Sequence, residues 1–293
     1  MKAKCRAKIN LSIDVMGKFP NGYHKVEMIM QSIDLYDVIE INNRDDGKIV
    51  IYSRSHEIPL SEDNIVYKAA SLLKKKYNVE YGADIVIEKN IPVAAGMAGG
   101  STDAAGTIKL LNILWNLNLS EEEMKKDGLE IGADVPFCIS GGAVLAENIG
   151  EELTDIKGLD DSVYVLVCKP EIFVSTGAIY KEIDSKEISK RPDNKFLIKA
   201  LKEGRVKEVA ENMCNVLEGV TEKMHTEINE IEGIMIRNGA MGAMMSGSGP
   251  TVFGLYDDFE KANLAKQELL KEFRQVYLVK SAERGIEVHG EYK

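Results

Sequence analysis

The chain opens on a strict alternation. From Ala3 to Val15 the odd positions read Ala, Cys, Ala, Ile, Leu, Ile, Val, and the even ones read Lys, Arg, Lys, Asn, Ser, Asp. A period of two predicts a strand with one apolar and one polar face. Lys8 and Asn10 stand two residues apart on the polar face and point the same way; taken alone, that face reads as solvated. A helical period follows. Val66, Ala70, Leu73 and Tyr77 are spaced 4, 3 and 4 behind the polar start Ser61-Glu62-Asp63-Asn64, and Ala104, Ile108, Leu111 and Trp115 repeat the spacing, as amphipathic helices require. Ser120 and Glu123 form a capping-box pattern for a further short helix ending near Gly132.

In the second half, 163–168 reads as a buried strand and 194–217 as helical. Met224, Ile228, Ile231 and Met235 again show the 4, 3, 4 spacing, with Asn238-Gly239 as a C-cap. In MMSGSGPTVFGLY, residues 244 to 256, a glycine-rich turn runs into a strand; a helix follows from about Asp257, and a last strand is expected at 276–279. Strands and helices mix throughout, with no low-complexity linker or fixed repeat. Element order puts the boundary between Gly150 and Asp161, giving units of 1–155 and 156–293.

Composition narrows the class. A chain of 293 residues, 44% hydrophobic and 29% charged, can bury a large core. Its 47 acidic residues outnumber 37 basic ones, for a net charge of -10. That balance argues against nucleic acid or an anionic membrane surface as partner. There is no signal-like amino terminus and no membrane-spanning run, so a cytoplasmic protein is expected. Cys5, Cys138, Cys168 and Cys214 form no CxxC pair and are expected as buried, reduced thiols.

The stretch IPVAAGMAGGSTDAAG, residues 91 to 106, follows the strand-like Asp84-Ile85-Val86-Ile87 and carries four glycines and five alanines. Small residues let backbone approach a ligand, and a helix start offers free N–H groups and a positive dipole end, which suits phosphate. It is neither a Walker loop, since the next lysine is Lys109, nor a GxGxxG fingerprint. A tight strand-to-helix connection explains the loop equally well by itself.

Three motifs in order change that balance. Pro92-Val93-Ala94-Ala95-Gly96-Met97-Ala98-Gly99-Gly100-Ser101-Thr102 resembles the second motif of the GHMP small-molecule kinases, Ala7-Lys8-Ile9-Asn10-Leu11 the first, and Met245-Ser246-Gly247-Ser248-Gly249-Pro250-Thr251 the third. Gly22-Tyr23-His24, Gly132-Ala133-Asp134-Val135-Pro136-Phe137, and the series Pro170, Val174-Ser175-Thr176 and Tyr180 resemble the branch acting on 4-diphosphocytidyl-2-C-methyl-D-erythritol. The resemblance implies an α+β protein with the two-domain GHMP kinase fold: an amino-terminal domain like ribosomal protein S5, a ferredoxin-like carboxy-terminal domain, and the active site in the cleft between them. It implies ATP-dependent phosphorylation of the 2-hydroxyl of that substrate, giving the 2-phosphate and ADP in non-mevalonate isoprenoid synthesis. The partners implied are small molecules.

By the same resemblance Asp134 accepts or orients the hydroxyl proton and Lys8 stands beside it, holding the aspartate ionised and offsetting charge on the transferring group. Without the resemblance, Asp134 reads as a helix N-cap before Pro136. ATP is expected along Val93, Ala94, Ala95, Gly96, Met97, Ala98, Gly99, Gly100, Ser101, Thr102 and Asp103, with Gly247, Ser248 and Gly249 as the third motif. Asn64 and Lys89 are candidates at the adenine, although Asn64 also suits a helix cap. His24 would hydrogen-bond a cytosine ring, Tyr23 would stack on it with Tyr180 as the opposite wall, and Asn10 and Thr176 would contact the polar substrate chain. Ala94, Ala95 and Ala98 stand where relatives often carry glycine and are expected to have ordinary backbone angles. Magnesium is expected with the nucleotide, without a dedicated carboxylate cluster. Two alternatives stay open: a GHMP kinase of the homoserine or mevalonate type, and a non-catalytic nucleotide binder.

Overall fold

Two β-sheets, each covered by helices, build the fold, and the long first strand lies within the larger one. The computed structural model describes residues 1–289. The first part runs β1 (Lys2–Lys18), β2 (His24–Arg44), β3 (Ile49–Ser53), α1 (Ile65–Lys76), β4 (Gly82–Glu88), α2 (Gly99–Leu114), α3 (Glu121–Leu129), α4 (Val135–Ser140), β5 (Ala143–Asn148) and β6 (Glu152–Asp155). The second runs β7 (Tyr164–Lys169), α5 (Thr176–Ile183), α6 (Asn194–Glu203), α7 (Val206–Asn212), β8 (Cys214–Asn215), α8 (Glu218–Met224), α9 (Glu227–Arg237), β9 (Gly242–Met245), β10 (Val252–Tyr256), α10 (Phe259–Leu269), β11 (Gln275–Lys280) and β12 (Ile286–His289).

The first sheet has the path β12-β1-β2-β4-β3, with β5 on β2, β6 on β5, and β8 parallel to β1. The second is antiparallel in the order β11-β7-β10-β9. Taken with α9 before β9 and α10 before β11, that is the ferredoxin-like arrangement expected. The boundary expected near 155 falls between β6 and β7, yet β8 and β12 both return to the first sheet. The strand at 275–280 is therefore not the last one. The stretch 194–217 is not one helical element either: Gly204, at φ 72, ends α6, and Cys214-Asn215 pairs with Ser12-Ile13. Met224 ends α8 and is exposed, while Ile228, Ile231 and Met235 form the buried stripe of α9.

Caps follow the sequence signals. Asn64 Oδ1 accepts the Val66 N–H at 2.9 Å, and Ser120 with Glu123 closes a full capping box. The four cysteines are buried and unpaired. No helix among the described residues is long and apolar enough to cross a membrane.

Behind the third glycine loop, Glu218 accepts the Met245 N–H at 2.6 Å, and its carboxyl lies against that of Glu232. Burial pushes Glu218 up to about 7 and, with the Glu218 charge adding, Glu232 up to about 9, from an ordinary 4.5. The folded state therefore holds protons that the unfolded chain has released. Stability from this pair is intact below the unfolded value of 4.5 and is lost as pH rises through about 7 and about 9. Thermal midpoints should fall across that window in the native chain and fall less in Glu232→Gln; parallel curves would contradict the assignment.

Candidate active site

The geometry of the site begins with irregularities in β1. Its register against β2 shifts between Arg6 and Lys8 and again between Asn10 and Ser12. The apolar odd positions divide at the same places. Ala3, Cys5, Ile13 and Val15 belong to the core that includes Val66, Ala69, Ala105 and Ile108 of α1 and α2, whereas Ala7, Ile9 and Leu11 belong to a separate core with Val165, Val167, Met244 and Phe253 of the second sheet. Bulges re-aim side chains, and here the middle of the strand turns its apolar residues to the second core and Lys8 and Asn10 to the opposite side. The polar face is thus not solvated: Lys8 is 5% exposed and Asn10 0%. Burying an ammonium requires acceptors. Lys8 Nζ donates to Asn10 Oδ1 at 2.5 Å.

Both side chains line a cavity of about 810 Å³. Its walls include Tyr23, His24, Asp134, Thr176, Tyr180, Gly247 and Ser248, and also Gly96, Ala98 and Ser101 of the glycine loop. Asp134 occupies the N-cap position of α4, as its sequence context suggests, but makes no capping hydrogen bond. Its carboxylate stays available to the cavity. Its charge is felt nearby: Tyr180 is pushed up to about 12 by burial and then by Asp134, and Cys138 is raised by burial and Asp134 while Lys8 lowers it. Lys8 and Asp134 share the cavity, but among the described residues no ion pair joins them, because Asn10 on the same strand face meets the ammonium first.

A second cavity of about 410 Å³ adjoins the first, and Gly96, Ala98 and Ser101 line both. Val93, Ala94, Ala95, Gly99, Gly100, Asp103, Asn64 and Lys89 also line it. The loop does not follow the expectation of ordinary angles at its alanines: Ala94 has φ 52 and Ala98 φ 57, with Gly96 at φ 71 between them, while Ala95 shows no positive φ. Positive φ at every second residue is the backbone pattern that gathers N–H groups into an anion-binding hollow. That pattern overrides the alanine preference, at about 1–2 kcal/mol per residue. Ala98 caps α2 without a side-chain hydrogen bond, and the first turn of α2 holds no acidic residue, so the helix start presents bare N–H groups.

The third loop braces this one. The Ser246 hydroxyl donates to Gly96 O at 3.1 Å and accepts the Asn10 N–H at 3.3 Å, while Lys8 N–H donates to Met97 O at 3.2 Å. A Cβ at residue 96 would run into Ser246 O, so the close approach requires glycine. Asn215 Nδ2 holds Met245 O and Gly247 O at 2.9 and 2.8 Å. The Thr176 and Ser248 hydroxyls meet at 2.8 Å. Gly249, and the side chains of Met97 and Thr102, line neither cavity; Met97 is a core residue, and the buried Thr102 hydroxyl has no partner.

Lys89 is committed elsewhere than sequence suggests. Its ammonium donates to Asp37 and, at 2.8 Å, to Asp103 Oδ2, and all three side chains are buried. Burial alone would lower Lys89, but the two carboxylates hold it above its usual value; burial and the Asp37 charge drive Asp103 well up. Asp37 Oδ1 also accepts the Asn90 and Ile91 N–H groups at 2.6 and 2.9 Å, tying the end of β4 to the start of α2. Asp37 was detectable: it interrupts the apolar series Ile33, Leu35, Ile39, Ile41. Asn64 caps α1 as well as lining the smaller cavity. At the mouth of the larger one, His24 and Tyr180 rings pack at 4.8 Å with a 38° tilt, and Tyr23 is 60% exposed. Among the described residues no group of three or more His, Cys, Asp or Glu side chains gathers that could hold a metal.

Comparison with known proteins accords with this arrangement. The profile described as GHMP kinases N terminal domain matches residues 64–142, and GHMP kinases C terminal matches 197–275. A 4-diphosphocytidyl-2-C-methyl-D-erythritol kinase of Clostridioides difficile (strain 630) is 56% identical over 292 residues, covering 100% of this chain and 99% of that one. The like-named protein of Caldicellulosiruptor bescii is 46% identical, over 97% of this chain and 99% of the relative. A crystal structure of 4-(cytidine 5'-diphospho)-2C-methyl-D-erythritol kinase superposes with a TM-score of 0.82 at 27% identity, covering 96% of this chain and 99% of the other. With both domains matched and full-length relatives far above chance similarity, this chain belongs to the GHMP kinase family.

Proposed function

We propose that this protein transfers the γ-phosphoryl group of ATP to the 2-hydroxyl of 4-diphosphocytidyl-2-C-methyl-D-erythritol, releasing the 2-phosphate and ADP in non-mevalonate isoprenoid synthesis. One observation carries the reading: two adjoining cavities share the wall made by Gly96, Ala98 and Ser101, and Lys8 and Asp134 both face the larger one. The names of the relatives at 56% and 46% identity support the substrate.

ATP occupies the smaller cavity, its adenine toward Asn64 and its phosphates over residues 93–103, with Lys89 in the wall but held by Asp37 and Asp103. The hollow of N–H groups and the α2 dipole favour the triphosphate and point its end toward the shared wall. Phosphoryl transfer asks mainly for alignment and for charge placed where negative charge develops. Asp134, free of capping duty, accepts or orients the proton of the attacking hydroxyl. Lys8, held by Asn10, offsets charge on the transferring group. The cytosine lies at the mouth, where Tyr23 has surface to lose by stacking and Tyr180 forms the far wall, with His24 at its polar edge. Asn10 and Thr176 face the polar chain of the substrate. Magnesium accompanies the nucleotide; the described residues build no cage for it.

With magnesium and ATP, the protein should release ADP when given the cytidylyl methylerythritol and not homoserine or mevalonate. Turnover of homoserine or mevalonate alone would overturn the reading, and ATP binding without turnover of any alcohol would favour a binder. Asp134→Asn should keep ATP binding and thermal stability while kcat falls about 10²–10⁴-fold; Lys8→Ala should lose about 10²–10³-fold. Full activity in either variant, measured by coupled ADP assay, removes that residue from the mechanism.

A further inference from the structure

The walls at the cavity mouth come from distant parts of the chain, and one side chain holds them together. Lys18 and His24 face each other across the turn joining β1 to β2. Asp184, the C-cap residue of α5, receives both: Lys18 Nζ at 2.8 Å on Oδ2, and His24 Nε2 at 2.6 Å on Oδ1. The helix it ends carries Thr176 and Tyr180. Lys18 and His24 hold the Asp184 carboxyl below its ordinary value, so it is ionised and only accepts. Nε2 must therefore carry the hydrogen, and in the neutral ring Nδ1 is left bare, as an acceptor.

We infer that Asp184 is the residue that sets base selectivity: it fixes the His24 tautomer and the spacing between the β1–β2 turn and Tyr180, so that the ring offers a lone pair to a base edge bearing an amine donor. Cytosine has such an edge in its exocyclic amine; uracil places a carbonyl oxygen at the same position and would meet Nδ1 lone pair to lone pair. Asp184 touches neither substrate nor reacting atoms and acts through His24. This rests on the kinase reading above.

The test compares the native protein with Asp184→Asn, using the cytidine substrate and its uridine counterpart. The amide can donate to Nε2, which moves the ring hydrogen to Nδ1. KM for the cytidine substrate should rise roughly tenfold, as for one lost charge-assisted hydrogen bond, with kcat within about twofold and KM for ATP unchanged, and the preference for cytidine over uridine should shrink. Asp184→Glu should restore part of the preference. An unchanged preference in Asp184→Asn, or parallel losses in kcat and in KM for ATP, overturns the role of Asp184 while leaving the kinase reading intact. A native protein that phosphorylates neither substrate overturns the kinase reading, and this one with it.

Discussion

A lysine ammonium can sit almost out of water only where an acceptor is fixed to meet it, and the placement of Lys8 beside Asn10 organises the rest of this molecule. A regular strand would keep all its odd residues on one face. The two register shifts in β1 instead give Ala7, Ile9 and Leu11 to the core under the second sheet and leave Lys8 and Asn10 facing the cleft. One strand thereby joins two cores and supplies the charge between them. The backbone of the same segment reaches both glycine loops, through Lys8 N–H to Met97 O and Asn10 N–H to the Ser246 hydroxyl.

The glycine loop is held by its neighbours rather than by its own preferences. Ala94 and Ala98 adopt left-handed angles that cost about 1–2 kcal/mol each in isolation. Such strain persists where surroundings over-determine it, and here they do: Ser246 grips Gly96, Asn215 grips the loop that carries Ser246, and the buried Lys89–Asp37–Asp103 cluster joins the end of β4 to the first turns of α2. The result is an anion hollow without a lysine of its own. The cation that a Walker loop would carry comes from β1, far away in sequence and adjacent in space.

The parts legible in the sequence are those with local signals. The alternation of β1, the Asn64 cap, the Ser120–Glu123 capping box and the small-residue loop all stand where their residues place them. What escaped depends on tertiary context. The β1 bulges leave the apolar alternation intact, so nothing in the residues marks where the face changes. The strands β8 and β12 are two and four residues long, too short for a period to show. Lys89 reads as a candidate at the adenine, and Asp184 as an ordinary surface charge, until the fold brings Asp37 and Asp103 to the one and His24 to the other. The left-handed angles of Ala94 and Ala98 run against the intrinsic preference of alanine, and the loop that braces them lies about 150 residues away in sequence.

The central claim is that triphosphate and alcohol meet at the wall made by Gly96, Ala98 and Ser101, between Lys8 and Asp134. The most direct measurement is a crystal structure of the protein with a non-hydrolysable ATP analogue and the cytidylyl methylerythritol. The account predicts the terminal phosphate at the start of α2 within reach of the Lys8 ammonium, and the substrate 2-hydroxyl within hydrogen-bond distance of the Asp134 carboxylate. A triphosphate lying away from residues 93–103, or a 2-hydroxyl directed away from Asp134, would contradict it.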